Sequence, residues 1–268
     1  MPTLKTTSGD IYYEVNGQGP PLVLLRGLGR TVRHWLGYEK DLAEQAGVQV
    51  ITIDLRGMGR STATAKWSQS IFAHADDVTA VLDHLKIDKA HIMGVSLGGM
   101  VTLALGIKFP ARCRSLIVMN TSIAGQRVLR LSPRAVVTLA QAARFRDERF
   151  HARLVDVLVS PSCLPVAKAK FTREYAAIAK DEGLYFWMVL KQLVAAARFL
   201  VKKDLQQMQV PTLVLYGTDD RFVPNTNSEK LAQLLPCARL QPIAQAGHEI
   251  SLDRPKELSQ AVADWLRG

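Results

Sequence analysis

Cysteine is scarce in this chain of 268 residues, which contains three. Cys113, Cys163 and Cys237 are far apart and form no C-x-x-C pair, so the sequence predicts neither a disulfide framework nor a zinc motif. No histidine pair has metal-ligand spacing either, and no metal site is expected. Few cysteines without a pairing pattern are typical of proteins whose thiols stay reduced, which favours a cytoplasmic location.

Long apolar runs are absent as well. The first ten residues lack the apolar stretch of a signal peptide, and the longest apolar runs, such as residues 184–190, are far shorter than the ~20 residues of a membrane-spanning helix. We therefore expect no membrane span. Apolar residues make up 48% of the chain and charged residues 22%, a composition typical of globular proteins rather than disordered or fibrous ones.

Positive charge is in excess, with 34 Lys and Arg against 24 Asp and Glu and a formal net charge of +10. Such a balance raises the question of nucleic-acid binding. However, the chain has no Lys/Arg cluster interleaved with aromatic residues, no zinc finger and no RNP-like motif, so no nucleic-acid partner is expected. The excess is uneven, because residues 124–205 contain 15 Lys and Arg against 7 Asp and Glu.

Short apolar or β-branched runs alternate with segments of helical periodicity through most of the chain. Strands are predicted at residues 3–7, 11–16, 22–25, 48–54, 90–94, 115–120, 212–216 and 238–243. Helices are predicted at residues 35–45, 71–85, 96–109, 225–235 and 255–267. This order predicts an α/β fold, in which a mostly parallel sheet has helices on both faces.

Residues 124–205 interrupt the alternation. They are rich in Ala, Arg and Leu and contain several helix-length stretches but no convincing strand. We interpret this segment as a helical cap, or lid, that lies across one end of the sheet. Residues 1–123 and 206–268 are accordingly assigned to the core domain, and residues 124–205 to the cap domain.

The strongest chemical signal is the sequence GVSLGG at residues 94–99, which follows a predicted strand and opens a predicted helix. A turn this tight forces its central residue, Ser96, into a strained backbone conformation, and its neighbours Gly94 and Gly98 must lack side chains. The turn presents the Ser96 hydroxyl at the carboxyl edge of the sheet, where the N-terminus of the following helix favours negative charge. Ser96 is therefore the candidate nucleophile.

A serine hydroxyl is a weak nucleophile unless a base accepts its proton, and with this motif an acid and then a histidine are expected after later strands. His248 follows the last predicted strand, and the adjacent Asp219 and Asp220 follow the strand before it. We interpret His248 as the base and choose Asp220 over Asp219 as the acid that orients it.

Acyl transfer also needs two backbone donors for the negatively charged oxygen that forms during the reaction. The first is expected to be the N–H of Leu97, directly after the nucleophile. The second is expected in the loop after the third strand, with the sequence RGLG at residues 26–29, and the N–H of Leu28 is the candidate.

Together these motifs resemble those of the α/β-hydrolase superfamily over essentially the whole chain. The resemblance is carried, in this order, by LVLLRGLG, DLRGMGRS, GVSLGG, YGTDDRFVP and AGHEISLDRP. It implies an eight-stranded core sheet with a helical cap inserted after the sixth strand, and the family pattern YG-x-x-D-x-x-x-P again places the acid at Asp220. Asn120, at the end of the sixth strand, occupies the place where some members carry the acid, and as an amide it does not compete.

Within the superfamily the chain is similar to small, cofactor-free carboxylic ester hydrolases. Enol-lactone hydrolases, carrier-protein methyl esterases and meta-cleavage C–C hydrolases share this layout. One departure is Arg26-Gly27 in a place where most relatives have His-Gly. Arg26 either shapes the oxyanion loop as the family histidine does, or extends its guanidinium into the pocket and binds an anionic group of the substrate, which makes it a candidate substrate-binding residue.

The insert is expected to select the substrate. Its aromatic residues either line an apolar acyl pocket or pack the cap helices on the core, and Trp187 is the candidate pocket residue among them. Its arginines either form solvated helix faces or attract an anionic ester or an acyl group on an acidic carrier protein. They include Arg127, Arg130, Arg134, Arg144, Arg146, Arg149 and Arg153.

The sequence thus predicts a serine hydrolase of small-molecule carboxylic esters that acts through an acyl-enzyme on Ser96, with Asp220 and His248, and that requires no cofactor. One alternative is hydrolysis of C–C bonds, thioesters or lactones by the same three residues. Another is a hydrolase-like receptor that binds a small molecule without turnover. The oligomeric state is not fixed by the sequence.

Overall fold

The computed structural model describes residues 2–122, 132–133, 137, 148–183 and 186–268. The strands in these ranges are β1 (Thr3–Thr6), β2 (Gly9–Asn16), β3 (Pro21–Leu25), β4 (Gln49–Ile53), β5 (Ala90–Val95), β6 (Cys113–Met119), β7 (Thr212–Gly217) and β8 (Ala238–Ile243). The α-helices in these ranges are α1 (Tyr38–Ala46), α2 (Ile71–His84), α3 (Leu97–Lys108), α4 (Glu148–Leu158), α5 (Pro165–Glu182), α6 (Phe186–Ala197), α7 (Lys202–Gln207), α8 (Thr226–Leu234), α9 (Ile250–Asp253) and α10 (Pro255–Arg267).

The eight strands form one sheet in the order β1-β2-β4-β3-β5-β6-β7-β8. Strand β2 pairs antiparallel with β1 and with β4, whereas all pairs from β4 across to β8 are parallel. The expected α/β fold with a mostly parallel, eight-stranded sheet is therefore confirmed.

The sheet is buried on both faces, which explains why its strands read as continuous apolar runs. In β3, Val23 and Leu25 join one apolar cluster with side chains of α2, α3, α7 and α8. The alternate residues Leu22 and Leu24 join a second cluster with side chains of α1 and α10. The carboxyl ends of the parallel strands, and the loops that follow them, are thereby held at one edge of a rigid sheet.

The first helix begins later than the sequence predicts. Instead of starting at Trp35, α1 starts at Tyr38, and residues Val32–Trp35 form a separate 3₁₀ helix. The interruption lies at Leu36 and Gly37, whose φ angles of 52° and 94° are incompatible with a right-handed helix. The chain turns here instead of extending one helix back into the loop after β3.

Helices α4, α5 and α6 lie between β6 and β7, so a helical, cap-like region follows the sixth strand as expected. Part of the predicted cap, residues 124–131, 134–136, 138–147 and 184–185, lies outside the described residues. The predicted boundary between residues 205 and 206 falls inside α7, and Leu205 is buried with side chains of the core. Within the described ranges, no helix combines the length and the apolarity needed to cross a membrane.

A buried carboxylate fixes the loop after β3 to the loop after β4. Asp54 is 0% exposed, and its two carboxylate oxygens accept hydrogen bonds from the N–H groups of Val32 (2.7 Å) and Arg60 (3.0 Å). Burial raises the pKa of Asp54 to about 7, although the two N–H donors act in the opposite direction. The loop that carries Leu28 is therefore tied to the core by a group that titrates near neutral pH.

We expect the stability of the protein to depend on this titration. Because the folded pKa of about 7 lies above the ordinary value of 3.8, the folded state binds the proton more tightly than the unfolded state. This contribution to the free energy of unfolding is complete below pH 4 and is lost as the pH rises from 4 to 7, by about 1.4 kcal/mol per pH unit. Urea unfolding of the wild type and Asp54→Asn between pH 4.5 and 8 measures it. The difference in the free energy of unfolding between the two proteins should change with pH. If the two free energies depend on pH in the same way, the raised pKa of Asp54 is contradicted.

Candidate active site

Ser96 lies at the turn between β5 and α3 in a strained backbone conformation. Its φ and ψ angles are 55° and −115°, a region that residues other than glycine rarely occupy. The backbone is held there by hydrogen bonds from Ser96 N–H to the carbonyl of Met119 (2.9 Å) and from the Thr121 hydroxyl to the carbonyl of Ser96 (2.7 Å). The strain predicted from the motif is therefore present, and contacts with the end of β6 maintain it.

The two glycines that flank Ser96 are required by close backbone contacts. A Cβ atom on Gly94 would lie 2.2 Å from the carbonyl oxygen of Gly98, and a Cβ atom on Gly98 would lie 2.3 Å from that of Leu25. Side chains at these positions would push α3 away from β3 and β5. The absence of side chains thus lets the helix N-terminus approach the sheet edge directly behind the serine.

His248 and Asp220 form a buried pair. His248 Nδ1 lies 2.8 Å from Asp220 Oδ2, and the two side chains are 4% and 1% exposed. The other carboxylate oxygen of Asp220 accepts hydrogen bonds from the N–H groups of Phe222 (2.7 Å) and Val223 (2.9 Å). Because an ionised carboxylate only accepts, Nδ1 carries the proton in this contact, which leaves Nε2 available as a base.

Asp219, the other acid considered, has a different environment. Its Oδ2 accepts a hydrogen bond from the Ser160 hydroxyl (2.6 Å), and its Oδ1 lies 3.3 Å from the Thr218 hydroxyl. The structure therefore brings Asp220, rather than Asp219, to the imidazole. The two acids lie in the turn after β7, in which the N–H of Asp220 donates to the carbonyl of Gly217, and this turn directs their side chains to different partners.

Asn120 holds the loop that carries His248, a role that the sequence did not reveal. Its side-chain amide donates to the carbonyls of Gly247 (3.1 Å) and His248 (2.8 Å), and its oxygen accepts from Gly217 N–H (3.0 Å). The residue has a φ of 46°, a conformation that asparagine tolerates better than most residues. Asn120 thus joins the ends of β6 and β7 to the histidine loop. The signal in the sequence that could have indicated this role is an asparagine at the end of a predicted strand.

Ser96 and His248 line the same cavity, together with residues of the cap-like region. Among the described residues, no hydrogen bond joins the Ser96 hydroxyl directly to the His248 ring. Such contacts are often loose without substrate and tighten when the reacting complex forms. Ser96 and His248 thus line one cavity without a direct hydrogen bond between their side chains.

The two predicted oxyanion donors border the nucleophile. Leu97 is the first residue of α3, so its N–H has no partner within the helix. The loop that carries Leu28 passes close to Ser96, since a Cβ atom on Gly27 would lie 3.2 Å from Ser96 Cβ. The next amide, that of Gly29, donates to the side chain of Gln192 on α6 (3.0 Å), which fixes the loop from the cap side.

Arg26 lies behind the cavity rather than in its described lining. It is 1% exposed, and its Nη2 contacts both carboxylate oxygens of Glu249 at 2.8 and 2.9 Å. Its guanidinium carbon also lies 4.4 Å from the centre of the Trp35 ring. Of the two roles predicted for Arg26, this environment favours packing of the loop. Among the described residues, the arginine in the cavity lining is Arg30, which sequence reasoning missed.

Trp187 is 64% exposed and is absent from the described lining of the cavities at Ser96. Its ring contacts those of Trp67 and Phe186, at centroid distances of 6.3 and 5.3 Å. Within the described part of the chain, Phe150 is the aromatic residue of the insert in these linings, and the other lining residues of the cap-like region are aliphatic. From the cap-like region the linings contain Phe150, Leu154, Leu158, Val189, Leu193 and Ala196.

The positive charge of the insert is only partly described. Attraction of an acidic partner or carrier protein therefore stays a prediction. The arginines that lie outside the described residues are Arg127, Arg130, Arg134, Arg144 and Arg146.

Comparisons with known proteins agree with this architecture. The chain is 26% identical over 260 residues to the 2-hydroxy-6-oxo-6-phenylhexa-2,4-dienoate hydrolase of Comamonas testosteroni, covering 96% of this chain and 91% of that protein. The solved structure of Est816, described as an N-acyl homoserine lactone degrading enzyme, is 28% identical with a TM-score of 0.81, covering 98% of this chain and 100% of that one. The solved structure of a thermophilic esterase from Thermogutta terrifontis is 25% identical with a TM-score of 0.80, and the match covers 99% of this chain and 97% of that one.

These relatives are similar in length to the chain and are named or described as a hydrolase, an esterase and a lactone-degrading enzyme. Residues 20–255 match the family described as the alpha/beta hydrolase fold. Together with the eight-stranded sheet and the serine turn after β5, this match over most of its length shows that the chain belongs to the alpha/beta hydrolase fold family.

Proposed function

We propose that the protein is a serine hydrolase of carboxylic esters that acts through an acyl-enzyme. The observation that carries the proposal is the contact of 2.8 Å between buried Asp220 and His248, because His248 lines the same cavity as Ser96. A hydroxyl, an imidazole and a carboxylate in this arrangement are the groups that nucleophilic acyl transfer requires.

In the first half of the proposed reaction, Ser96 Oγ attacks the ester carbonyl while His248 Nε2 accepts its proton. Asp220 keeps the proton on Nδ1 and stabilises the imidazolium that forms. The N–H groups of Leu97 and Leu28 stabilise the negative charge on the carbonyl oxygen. The imidazolium then protonates the leaving alcohol, and the acyl group stays on Ser96.

In the second half, a water molecule replaces the alcohol. His248 accepts a proton from the water as it attacks the acyl carbon, and then returns the proton to Ser96 as the acid leaves. One ester and one water thus yield one acid and one alcohol, and no cofactor takes part. Residues 124–205 are proposed to act as the cap over this site, and the apolar side chains of α4 and α6 support binding of an apolar group.

The experiment is a substrate panel combined with active-site labelling. The panel contains 4-nitrophenyl esters of increasing chain length, an acyl thioester, an N-acyl homoserine lactone and 2-hydroxy-6-oxo-6-phenylhexa-2,4-dienoate. A fluorophosphonate probe, followed by peptide mass spectrometry, identifies the reactive hydroxyl. We expect the highest kcat/KM for an ester and a single adduct on Ser96.

The other outcomes decide between the alternatives. Labelling of Ser96 with a clear preference for the dienoate, the thioester or the lactone would replace the ester in the proposal and keep the same residues. An unlabelled protein without turnover of any member of the panel would contradict the catalytic proposal and favour a receptor.

A further inference from the structure

The loop after β3 places a second arginine, Arg30, in the cavity wall. Arg30 is 7% exposed and lines the cavity with Ser96, His248 and Glu249. Among the described residues, no side chain or carbonyl accepts a hydrogen bond from its guanidinium. Its one described contact is with the Tyr175 ring, whose centre lies 4.4 Å from the guanidinium carbon. A buried cation without an anionic partner is costly, so this arrangement needs an explanation.

The carboxylate that lines this cavity with Arg30 is already engaged. Glu249 is the acidic residue in the described lining of this cavity, and its two oxygens contact Nη2 of Arg26. Asp220 is also occupied, by His248 and by two backbone N–H groups. Two guanidinium groups, those of Arg26 and Arg30, are therefore matched by one carboxylate in this lining, which Arg26 binds, so the charge of Arg30 is left without a bound anion.

The neutral groups behind the wall do not remove this charge. Burial, with Arg30 and Arg26 nearby, holds the pKa of His34 well below its ordinary value, so its ring is neutral. Burial raises the pKa of Tyr175 to about 12, so its hydroxyl supplies no negative charge at neutral pH either. Burial lowers the pKa of Arg30 and the charge of Glu249 acts in the opposite direction, but arginine starts so far above neutral pH that it stays protonated.

A second cavity at Ser96 has a different character. Apart from Ser96 and Ser122, its described lining is apolar, and it shares Leu28 and Phe222 with the first cavity. Ser96 therefore lies where an apolar region meets a cationic one. A substrate that fits both regions has an apolar part and an anionic part on either side of the bond that is cleaved.

We propose that Arg30 binds a carboxylate of the substrate, so that the preferred substrates are esters that carry a carboxylate in addition to the ester group. The planar guanidinium offers paired N–H donors that match the two oxygens of a carboxylate. The inference rests on the proposed function, because it names the class of ester that the same site cleaves.

The test compares two esters that differ in one terminal group. Mono-4-nitrophenyl adipate and 4-nitrophenyl hexanoate have acyl chains of equal length, and the first ends in a carboxylate where the second ends in a methyl group. We expect the wild type to have a kcat/KM for the adipate at least 10-fold higher than for the hexanoate. Arg30→Gln is expected to lower this ratio about 10- to 100-fold, since a charged hydrogen bond is lost. Arg30→Lys, which keeps the charge, should retain an intermediate ratio.

Arg33→Gln is the matched control. Arg33 lies three residues further along, is partly exposed and pairs with Asp181 (3.1 Å), outside the described cavity lining. This variant should keep the wild-type ratio. A wild type that does not prefer the adipate would overturn the proposal even if Arg30→Gln failed to fold, and so would a ratio unchanged in Arg30→Gln.

Calorimetric titration with adipate itself separates this proposal from the proposed function. If no ester is hydrolysed but adipate binds the wild type more tightly than Arg30→Gln, the carboxylate site stands and the hydrolase assignment fails. If hexanoate esters are hydrolysed and adipate binds both proteins equally, the hydrolase assignment stands and the carboxylate site fails.

Discussion

Replacing Ser96 with alanine is expected to lower kcat/KM for a 4-nitrophenyl ester by roughly 10⁴- to 10⁶-fold. The substitution removes the oxygen that forms the acyl-enzyme, and the structure offers His248 no second hydroxyl on the same turn. The backbone at position 96 has a φ of 55°, which alanine tolerates no better than serine, so the free energy of unfolding should change little. The measurements are initial rates, fluorophosphonate labelling and a urea unfolding curve.

Ser68→Ala provides the matched control for Ser96→Ala. Ser68 is an exposed serine remote in sequence from the turn after β5, and its replacement should leave both turnover and labelling at wild-type levels. Turnover within tenfold of the wild type in Ser96→Ala would show that another group is the nucleophile.

Asp220→Asn is expected to lower kcat by about 10⁴-fold while KM changes much less. An amide can donate a hydrogen bond to Nδ1, which would move the imidazole proton to Nε2 and block the base. It also lacks the charge that stabilises the imidazolium. The side-chain oxygen of asparagine can still accept the N–H groups of Phe222 and Val223, so the turn should fold normally. Steady-state kinetics at several pH values measure the effect.

The adjacent acid gives an unusually close control. Asp219→Asn makes the same chemical change one residue earlier, at a side chain that contacts the Ser160 hydroxyl rather than His248. Its kcat should stay within a few-fold of the wild-type value. A larger loss in Asp219→Asn than in Asp220→Asn would reverse the assignment of the acid.

Most of the fold was predictable because its signals are local. Strand β8 and helix α10 have the predicted bounds of 238–243 and 255–267, since apolar residues alternate with Arg239 and Gln241 in the strand and Pro255 marks the start of the helix. The start of α1 was not predictable in the same way. The positive φ of Leu36 depends on how the loop packs, and leucine gives no local signal for it.

In the candidate site, too, residues with a local sequence signal were predictable, and residues whose role depends on distant partners were not. Ser96, Asp220 and His248 each follow a strand in a recognisable motif, and in the structure Ser96 and His248 line one cavity while Asp220 contacts His248. The environment of Arg26 was ambiguous because its partner, Glu249, is 223 positions away. Arg30 was missed for a related reason, since its importance depends on which carboxylates are already occupied. Trp187 was selected by residue type alone, and it lies at the surface instead.

The contact between Arg26 and Glu249 constrains how this sequence can diverge. Their side chains are 2% and 4% exposed, so replacing Glu249 alone leaves the buried guanidinium groups of Arg26 and Arg30 without this carboxylate, at a cost of about 3–5 kcal/mol. That is a large fraction of the stability of an ordinary domain. A neutral residue at position 249 therefore requires a compensating loss of charge at position 26. The contact thus couples two positions that lie 223 residues apart in the chain, so a substitution at one of them changes which residues the other can tolerate.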